Sequence, residues 1–149
     1  MIIVAWLMIK HIMVPYDKSE PANRALEYAM DLARRYSSKI SIVAYVPLNV
    51  DYSVDGNESY VETVKLMKKS AAYDLSKLEP RLQELKIPYD IKIVEGTSIT
   101  ETLISYAEMH HVDFIVMGSR GLGGFKKLLL GSVASGVLQS SKCPVLIVK

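Results

Sequence analysis

The chain has 149 residues, half of them hydrophobic, and this size predicts one domain with one core, spanning residues 1–149. Its 18 basic and 16 acidic residues leave a net charge of +2, which argues against nucleic acid and anionic membranes as partners. The single cysteine, Cys143, excludes an internal disulfide and favours a reducing, cytoplasmic location.

The first nine residues form an apolar segment ahead of the first predicted strand. The segment is far shorter than the roughly 20 residues that cross a bilayer. Neither a basic region before it nor a small-residue cleavage site after it marks it as a signal peptide. We interpret residues 1–8 as an extension outside the core. It is an alternative start with Met8 as the natural beginning, an added edge strand, or an oligomer contact through Trp6.

The first strand and the first helix are predicted between residues 11 and 36. HIMVPY, residues 11–16, is a short apolar run stopped by Pro15, which is typical of a buried strand. Residues 17–36 then space their apolar side chains as a helix does, with Ser19 as the N-cap and Pro21 in the first turn.

The next elements are a second strand, a loop and a long helix. The β-branched and apolar run at residues 39–48 predicts a buried strand, and the polar residues 51–59 predict a loop. Apolar residues on one side of residues 58–85 predict a helix, which Pro80 should kink or break.

The second half of the chain continues the alternation of strands and helices. Ser98 and Glu101 have the spacing of a capping box at the start of a helix. The predicted elements are a strand at 89–96, a helix at 98–110, a strand at 112–118, a helix at about 132–140 and a strand at 144–149.

Apolar strands that alternate with amphipathic helices predict a parallel sheet with helices on both faces, joined by right-handed crossovers. In such sheets ligands bind beyond the carboxyl ends of the strands, where the strand order reverses. The candidate site residues therefore follow the strands: Tyr16 and Asp17, Val46 and Pro47, Gly96, and residues 118–124.

Five of the eight glycines lie between Gly118 and Gly131, and their spacing matches neither of two common phosphate-binding loops. A Walker A loop requires lysine after its second glycine, but Gly124 follows Gly123 here. The dinucleotide fingerprint requires a glycine at its sixth position, where this chain has Lys126.

The stretch still has the chemistry of a phosphate site. Its glycines let the backbone take positive φ and approach a ligand closely, and the helix that opens at Gly131 has free N–H groups and a positive dipole end. Ser132 adds a hydroxyl, and Arg120, Lys126 and Lys127 are able to reach anionic oxygens. The alternative is a flexible turn capped by Ser132, with solvated lysines.

The spacing Gly118-x2-Gly121-x9-Gly131-Ser132 resembles the G-2x-G-9x-G-[ST] signature of the universal stress protein family. The segments KHIMVPYDKSEPANRALEYAMDLARRY, VEGTSITETLISYAEMHHVDFIVMGSRG and SSKCPVLIVK resemble the opening, middle and closing segments of that family. These matches come in the family's order and cover nearly all of the chain from Lys10 onward.

The resemblance implies a Rossmann-like, adenine nucleotide alpha hydrolase-like α/β fold, with a five-stranded parallel sheet of order 3-2-1-4-5. It also implies that the chain binds ATP, ADP or AMP, with or without Mg²⁺ or Mn²⁺, as ATP-binding members do. Carried over by position, the site would comprise Pro15, Tyr16 and Asp17 at the adenine and ribose, Val46 at the base, and Gly118, Arg120, Gly121, Gly131, Ser132, Val133 and Ala134 around ribose and phosphates.

Two further implications concern Ala134 and the last strand. Some nucleotide-binding members have a hydroxyl residue where this chain has Ala134, so phosphate or metal contacts are expected to be fewer unless Ser135 compensates. Members of the family commonly dimerise through the last strand. A homodimer through residues 144–149 would also cover an apolar edge that is otherwise exposed.

Several residues have simpler explanations than ligand binding. Asp17 could cap the first helix, and His110 and His111 are expected to interact with a helix dipole rather than a metal. We expect Cys143 to be a partly buried thiol. Three tyrosines are interpreted as packing residues: Tyr60, Tyr73 and Tyr89.

Three functions compete for this sequence: a regulatory or stress-response nucleotide binder, a slow metal-dependent ATP hydrolase, and a homodimeric interaction module with a structural nucleotide. An enzyme needs a positioned base or nucleophile, and Asp17 is the only carboxylate that the motifs place near the site. Phosphoryl transfer also needs a well-held metal, which no motif provides. Binding is therefore favoured over catalysis.

Overall fold

The computed structural model describes residues 9–48, 57–123 and 129–149, and the predicted extension at residues 1–8 lies outside them. Strands and helices alternate along the chain, as the sequence predicts. The elements are β1 (His11–Pro15), α1 (Glu20–Tyr36), β2 (Lys39–Pro47), α2 (Asn57–Ser76), α3 (Glu79–Glu84), β3 (Tyr89–Gly96), α4 (Ile99–Met109), β4 (Phe114–Gly118), α5 (Ser132–Ser140) and β5 (Val145–Val148).

These strands form a five-stranded parallel sheet of order β3-β2-β1-β4-β5, which confirms the predicted fold class. Pro15 at the end of β1 pairs with Val43 of β2, and Gly118 at the end of β4 pairs with Val148 of β5. The chain builds outward from β1 to β3 and then returns to the other side of β1 with β4. The strand order therefore reverses between β1 and β4, where Asp17 and Gly118 lie.

Each face of the sheet carries its own apolar layer. Along β1, Ile12 and Val14 pack on one face with α1, α2 and α3, whereas Met13 packs on the other face with α4 and α5. All three side chains are fully buried. Burial on both faces explains why these strands read as continuous apolar runs rather than as alternating ones.

The helix N-caps lie where the sequence predicts them. Ser19 Oγ accepts a hydrogen bond from the Ala22 N–H at 3.2 Å, and Pro21 lies in the first turn of α1. At the start of α4, Ser98 Oγ accepts a hydrogen bond from the Glu101 N–H at 3.4 Å. Each cap satisfies an N–H group that the start of a helix leaves unpaired.

The long helix predicted at residues 58–85 is divided, as expected from Pro80. Helix α2 ends at Ser76, and α3 begins at Glu79 with Pro80 in its first turn. Proline has no N–H for the helical ladder and its ring clashes with the preceding turn, so the chain ends one helix and starts another. This restart allows Leu82 to pack fully buried in the same layer as α1.

The expectation that Tyr73 is a packing residue is wrong. Tyr73 is 66% exposed, and Lys77 Nζ lies 4.1 Å from its ring centroid. Tyr89 does pack against the core layer of α1, and its hydroxyl donates a hydrogen bond to Glu79 Oε2 at 2.8 Å. Tyr60 is partly buried. Tyr73 differs because it lies on the solvent side of α2, where its ring meets water.

Candidate functional site

A cavity of about 900 Å³ opens at the carboxyl ends of β1, β2 and β4. This volume lies within the range of about 300–1,000 Å³ that is typical of small-molecule sites. Every residue that the family resemblance implies for the site lines the cavity: Pro15, Tyr16, Asp17, Val46, Gly118, Arg120, Gly121, Gly131, Ser132, Val133 and Ala134. Gly96, a candidate because it follows β3, does not line it. The fold therefore brings these separate segments together at the reversal of strand order.

Asp17 ties the loop after β1 to the loop after β4. Its Oδ1 accepts a hydrogen bond from the Ser19 N–H at 3.0 Å, and its Oδ2 accepts one from the Leu122 N–H at 3.1 Å. Asp17 therefore does hold the start of α1, which is the simpler of its two predicted roles. The same residue also borders the cavity.

Close approach, rather than positive φ, explains two of the glycines after β4. Gly118, Gly121 and Gly123 all have φ outside the left-handed region, so the expectation of positive φ is wrong for them. A Cβ on Gly118 would lie 2.8 Å from the Pro21 carbonyl carbon, and one on Gly121 would lie 2.5 Å from Asp17 Oδ2. Larger side chains here would push away α1 and the Asp17 carboxylate.

Helix α5 begins at the cavity wall, with Gly131 as its N-cap. No side chain caps α5 among the described residues, because Gly131 has none and Ser132 is already the first helical residue. The alternative prediction of a turn capped by Ser132 is therefore wrong. The first-turn N–H groups of α5 are left without a side-chain cap at the cavity, and Ser132 itself is exposed.

Ala134, the departure from the family pattern, is 2% exposed and packs in the core layer of α4 and α5. Ser135 does not take the place of the missing hydroxyl, since it does not line the cavity and its Oγ accepts a hydrogen bond from Gln139 Nε2 at 3.1 Å. The predicted phosphate contacts of Lys126 and Lys127 lie outside the described residues.

A second wall of the cavity comes from α2, which the sequence analysis did not assign to the site. Its lining residues are Met67, Ser70, Ala71, Asp74 and Leu75. The apolar side of this helix is visible in the sequence, where it predicts packing, and Leu75 is indeed fully buried. The rule for parallel sheets finds only residues that follow strands, so it does not identify a wall contributed by a helix.

The cavity has an apolar end and a polar end. The apolar lining comes from β2 and α2: Val43, Ala44, Val46, Met67 and Leu75. Towards β4 the lining is polar and consists of the glycine backbone, Arg120 and Ser132, while Ser70 and Asp74 add polar groups to the α2 wall. Two strand spacings, about 10 Å, separate β2 from β4 across β1. This arrangement suits an elongated ligand with an apolar group at one end and an anionic group at the other.

Two carboxylates line the cavity beside Tyr16. Burial, together with the carboxylates of Asp74 and Asp17, raises the pKa of the Tyr16 hydroxyl, which donates a hydrogen bond to Asn23 Oδ1 at 2.6 Å. Lys18 Nζ lies 2.8 Å from Asp74 Oδ2, and this ion pair lowers the pKa of the Asp74 carboxyl. At neutral pH the Tyr16 hydroxyl is therefore protonated, and Asp74 is ionised.

The sequence and the fold of this chain match those of known proteins. The family model described as "Universal stress protein family" matches residues 8–149. The chain belongs to the universal stress protein family. Among solved structures, that of MJ0577, a universal stress protein from Methanocaldococcus jannaschii, is 30% identical with a TM-score of 0.86. The match covers 95% of this chain and 96% of that one.

Two other solved universal stress proteins carry nucleotides. One is in complex with cAMP, and the other, from Archaeoglobus fulgidus, is in complex with dAMP. Their identities to this chain are 23% and 19%, with TM-scores of 0.67 and 0.64. Each match covers 95% of this chain, and 98% and 99% of the respective relatives. At these identities the likeness establishes a shared fold alone.

Two of the three histidines of this universal stress protein, His110 and His111, lie at the end of α4. His110 is the C-cap of α4, and its ring centroid lies 4.2 Å from that of Tyr106. His111 follows in the left-handed region with φ of 52°. Across residues 9–48, 57–123 and 129–149, no group of three or more His, Cys, Asp or Glu side chains is arranged to hold a metal ion. Cys143 is partly buried, as predicted.

Length and apolar character decide whether a helix is able to cross a membrane. A spanning helix needs about 20 consecutive, predominantly apolar residues. None of the helices in the described ranges combines the length and the apolar character that crossing a bilayer requires.

Proposed function

We propose that this universal stress protein binds ATP, or ADP or AMP, in the cavity at the carboxyl ends of β1, β2 and β4, and acts as a regulatory, stress-responsive nucleotide binder. The observation that carries the proposal is the start of α5, which lacks a side-chain cap and opens on the same cavity as the apolar wall of β2 and α2. The cAMP and dAMP complexes of two proteins with this fold support an adenine nucleotide as the ligand class.

The two ends of the cavity suggest how the nucleotide lies. The adenine occupies the apolar end, where Val46 offers backbone groups, and the ribose lies beside Tyr16 and Asp17. The phosphates lie against the glycine backbone after β4, Arg120 and the first turn of α5. A helix start favours anions there because its free N–H groups and its dipole both present positive charge.

Binding rather than hydrolysis is proposed because the carboxylates of the described cavity are already engaged. Asp17 accepts hydrogen bonds from two backbone N–H groups, and Asp74 pairs with Lys18. A general base must instead be available to take a proton from the attacking water. Slow metal-dependent ATP hydrolysis and a purely structural nucleotide are the alternative hypotheses. Phosphate release and exchange with labelled ATP distinguish these alternatives.

Any Mg²⁺ or Mn²⁺ would enter with the phosphates of the nucleotide. Ser132 supplies a hydroxyl at that end of the cavity, while the Asp17 and Asp74 carboxylates are engaged elsewhere. Magnesium commonly binds through substrate phosphates and water rather than through a cage of protein ligands. The residues present therefore fit a cation that is held chiefly by the nucleotide.

We further propose that the protein is a cytoplasmic homodimer of single-domain chains that pair through residues 144–149. Strand β5 is an edge of the sheet, and its residues Val145, Leu146 and Ile147 are only partly buried. An apolar edge strand with unpaired backbone groups favours association with a second copy. Analytical ultracentrifugation tests this proposal, and a monomer at micromolar concentration would contradict it.

Titration calorimetry with the purified full chain tests nucleotide binding. A Cβ on Gly131 would lie 3.3 Å from the Ser119 carbonyl oxygen, so Gly131→Val crowds the start of α5. We expect wild-type protein to bind ATP and Gly131→Val to lose about tenfold or more in affinity. Ser140→Val, at the exposed end of the same helix, is the matched control and should bind normally. Wild-type protein that gives no heat with ATP, ADP or AMP would refute the proposal.

A further inference from the structure

Two consecutive residues of the loop after β1 reach different walls of the cavity. Asp17 accepts a hydrogen bond from the Leu122 N–H at 3.1 Å and so binds the loop after β4. Lys18 Nζ contacts Asp74 Oδ2 at 2.8 Å and so binds α2. The loop after β1 thus lies between the two walls and is joined to each of them by one side chain.

The backbone at Lys18 is held in a conformation that lysine rarely adopts. Lys18 has φ of 68°, in the left-handed region, where a residue with a side chain is strained. The Ser19 N–H donates to Asp17 Oδ1 across this turn at 3.0 Å. Such strain persists only where surrounding contacts fix it, and the contacts of Asp17 and Lys18 on opposite sides of the turn supply that restraint.

We propose that the Lys18–Asp74 ion pair is a clasp that holds α2 against the loop after β1 and slows the release of the nucleotide. The inference rests on the proposed function, because it assigns to these residues the retention of the nucleotide in that same cavity. Both residues line the cavity, on the loop and on the α2 wall respectively. Breaking the pair frees the α2 wall to move while Asp17 still holds the loop after β4.

The exposure of the pair sets how large the effect should be. The Lys18 side chain is 52% exposed and the Asp74 side chain 20%, so solvent partly screens their attraction. Pairs of this kind contribute modestly, and we expect release to accelerate about two- to fivefold when the pair is broken. Lys77 Nζ also lies 3.6 Å from Asp74 Oδ1, but Lys77 is in the turn directly after α2, three residues from Asp74, so this pair does not tie α2 to the loop after β1.

Stopped-flow measurement of the release of a fluorescent ATP analogue, chased with excess ATP, tests the clasp. We compare wild-type full chain with Lys18→Met, Asp74→Asn and the double variant. Lys77→Met is the matched control, since it removes a cation from the Asp74 carboxylate but leaves the Lys18–Asp74 pair between α2 and the loop after β1 intact. Each single variant should release the analogue about two- to fivefold faster, and the double variant should be no faster than either one. Lys77→Met should release it at the wild-type rate.

Salt supplies an independent readout that a purely structural change would not move. Raising NaCl to about 1 M, where the Debye length is about 3 Å, should speed release from wild type by a larger factor than from Lys18→Met, because screening of the phosphate contacts is common to both proteins. Equal rates in wild type, Lys18→Met and Asp74→Asn would overturn the clasp, and so would additive effects in the double variant.

Hydrogen exchange separates failure of the clasp from failure of the proposed function. In nucleotide-free protein, the amides of residues 70–75 should exchange faster in Asp74→Asn than in Lys77→Met. If wild-type protein binds no adenine nucleotide, the proposed function fails and the role of the clasp in retention fails with it. If wild type binds and these amides exchange equally in both variants, the clasp alone is wrong.

Discussion

The Asp17 carboxylate and the Leu122 N–H are joined by a hydrogen bond of 3.1 Å although 105 positions separate them in the sequence. Asp17 follows β1, and Leu122 follows β4. The bond therefore spans the point at which the strand order reverses. It borders the cavity and holds the glycine loop next to the loop after β1.

Asp17→Ala should destabilise the protein and weaken nucleotide binding together. The variant leaves the N–H groups of Ser19 and Leu122 without their carboxylate acceptor, and each lost bond to a charged group costs about 1.5–3 kcal/mol. We expect the free energy of unfolding in urea to fall by at least about 1.5 kcal/mol. Asp31→Ala, which breaks an exposed pair with Arg35 on α1, is the control and should leave the free energy of unfolding nearly unchanged, because solvent screens this pair. Equal losses in the two variants would contradict this role of Asp17.

Gly118→Ala should destabilise the protein, whereas Gly123→Ala should not. A Cβ on Gly118 would lie 2.8 Å from Pro21 atoms, and we expect this overpacking to cost about 1–3 kcal/mol in urea denaturation. A Cβ on Gly123 would have no neighbour within 4 Å among the described residues, and its φ lies outside the left-handed region. Gly123→Ala should therefore be neutral or stabilising by up to about 1 kcal/mol. A greater loss of stability in Gly123→Ala than in Gly118→Ala would show that close packing against Pro21 is not why position 118 is glycine.

Local signals in the sequence predict most of this fold. Ser19 and Ser98 mark helix starts through bonds to amides three residues away, and Pro80 ends a helix by its own chemistry. Strands such as β1 and β4 are recognisable because burial on both faces requires an unbroken apolar run. The strand order came from the family resemblance rather than from these local patterns.

Parts of the candidate site depend on contacts between residues far apart in sequence, and these were not predictable. Glycine is needed at position 118 because Pro21 lies close to it, and at position 121 because Asp17 does. The sequence alone does not show that these glycines are required for packing rather than for positive φ. Asp74 lies in a helix whose sequence has the ordinary pattern of an amphipathic helix. Its place in the cavity follows from its pairing with Lys18, for which neither sequence position gives a signal.

Ser19→Ala should cost more stability than Ser98→Ala. Both serines cap helices, but Ser19 is buried and Ser98 is only partly buried. The Ser19 Oγ also lies closer to the N–H that it caps, at 3.2 Å against 3.4 Å. We expect losses of about 1–2 kcal/mol for Ser19→Ala and about 0.5–1 kcal/mol for Ser98→Ala in thermal unfolding. A larger loss for Ser98→Ala would show that burial does not strengthen the cap.

His11 lies at the amino end of β1, away from the cavity, and both of its ring nitrogens have partners. Nδ1 lies 3.0 Å from the His110 carbonyl oxygen, and Nε2 lies 2.7 Å from Ser41 Oγ. Because a carbonyl only accepts, Nδ1 carries the hydrogen and Nε2 accepts from the Ser41 hydroxyl. Burial lowers the pKa of His11, although the His110 carbonyl partly opposes this. Lys39 lowers the pKa further, and the carboxylates of Asp90 and Asp113 oppose it.

The stability of the protein should therefore decrease on mild acidification through His11. Its pKa in the folded state lies below the value of about 6.5 in the unfolded chain, so between the two values the unfolded chain binds more protons. The contribution of His11 to the free energy of unfolding is fully present above about pH 6.5 and is lost as pH falls from there through the folded-state pKa. In His11→Gln, the free energy of unfolding measured in urea should depend less on pH over this range than it does in wild type. Titration of the His11 ring protons by NMR gives the folded-state pKa directly, and a midpoint at or above about 6.5 would contradict the prediction.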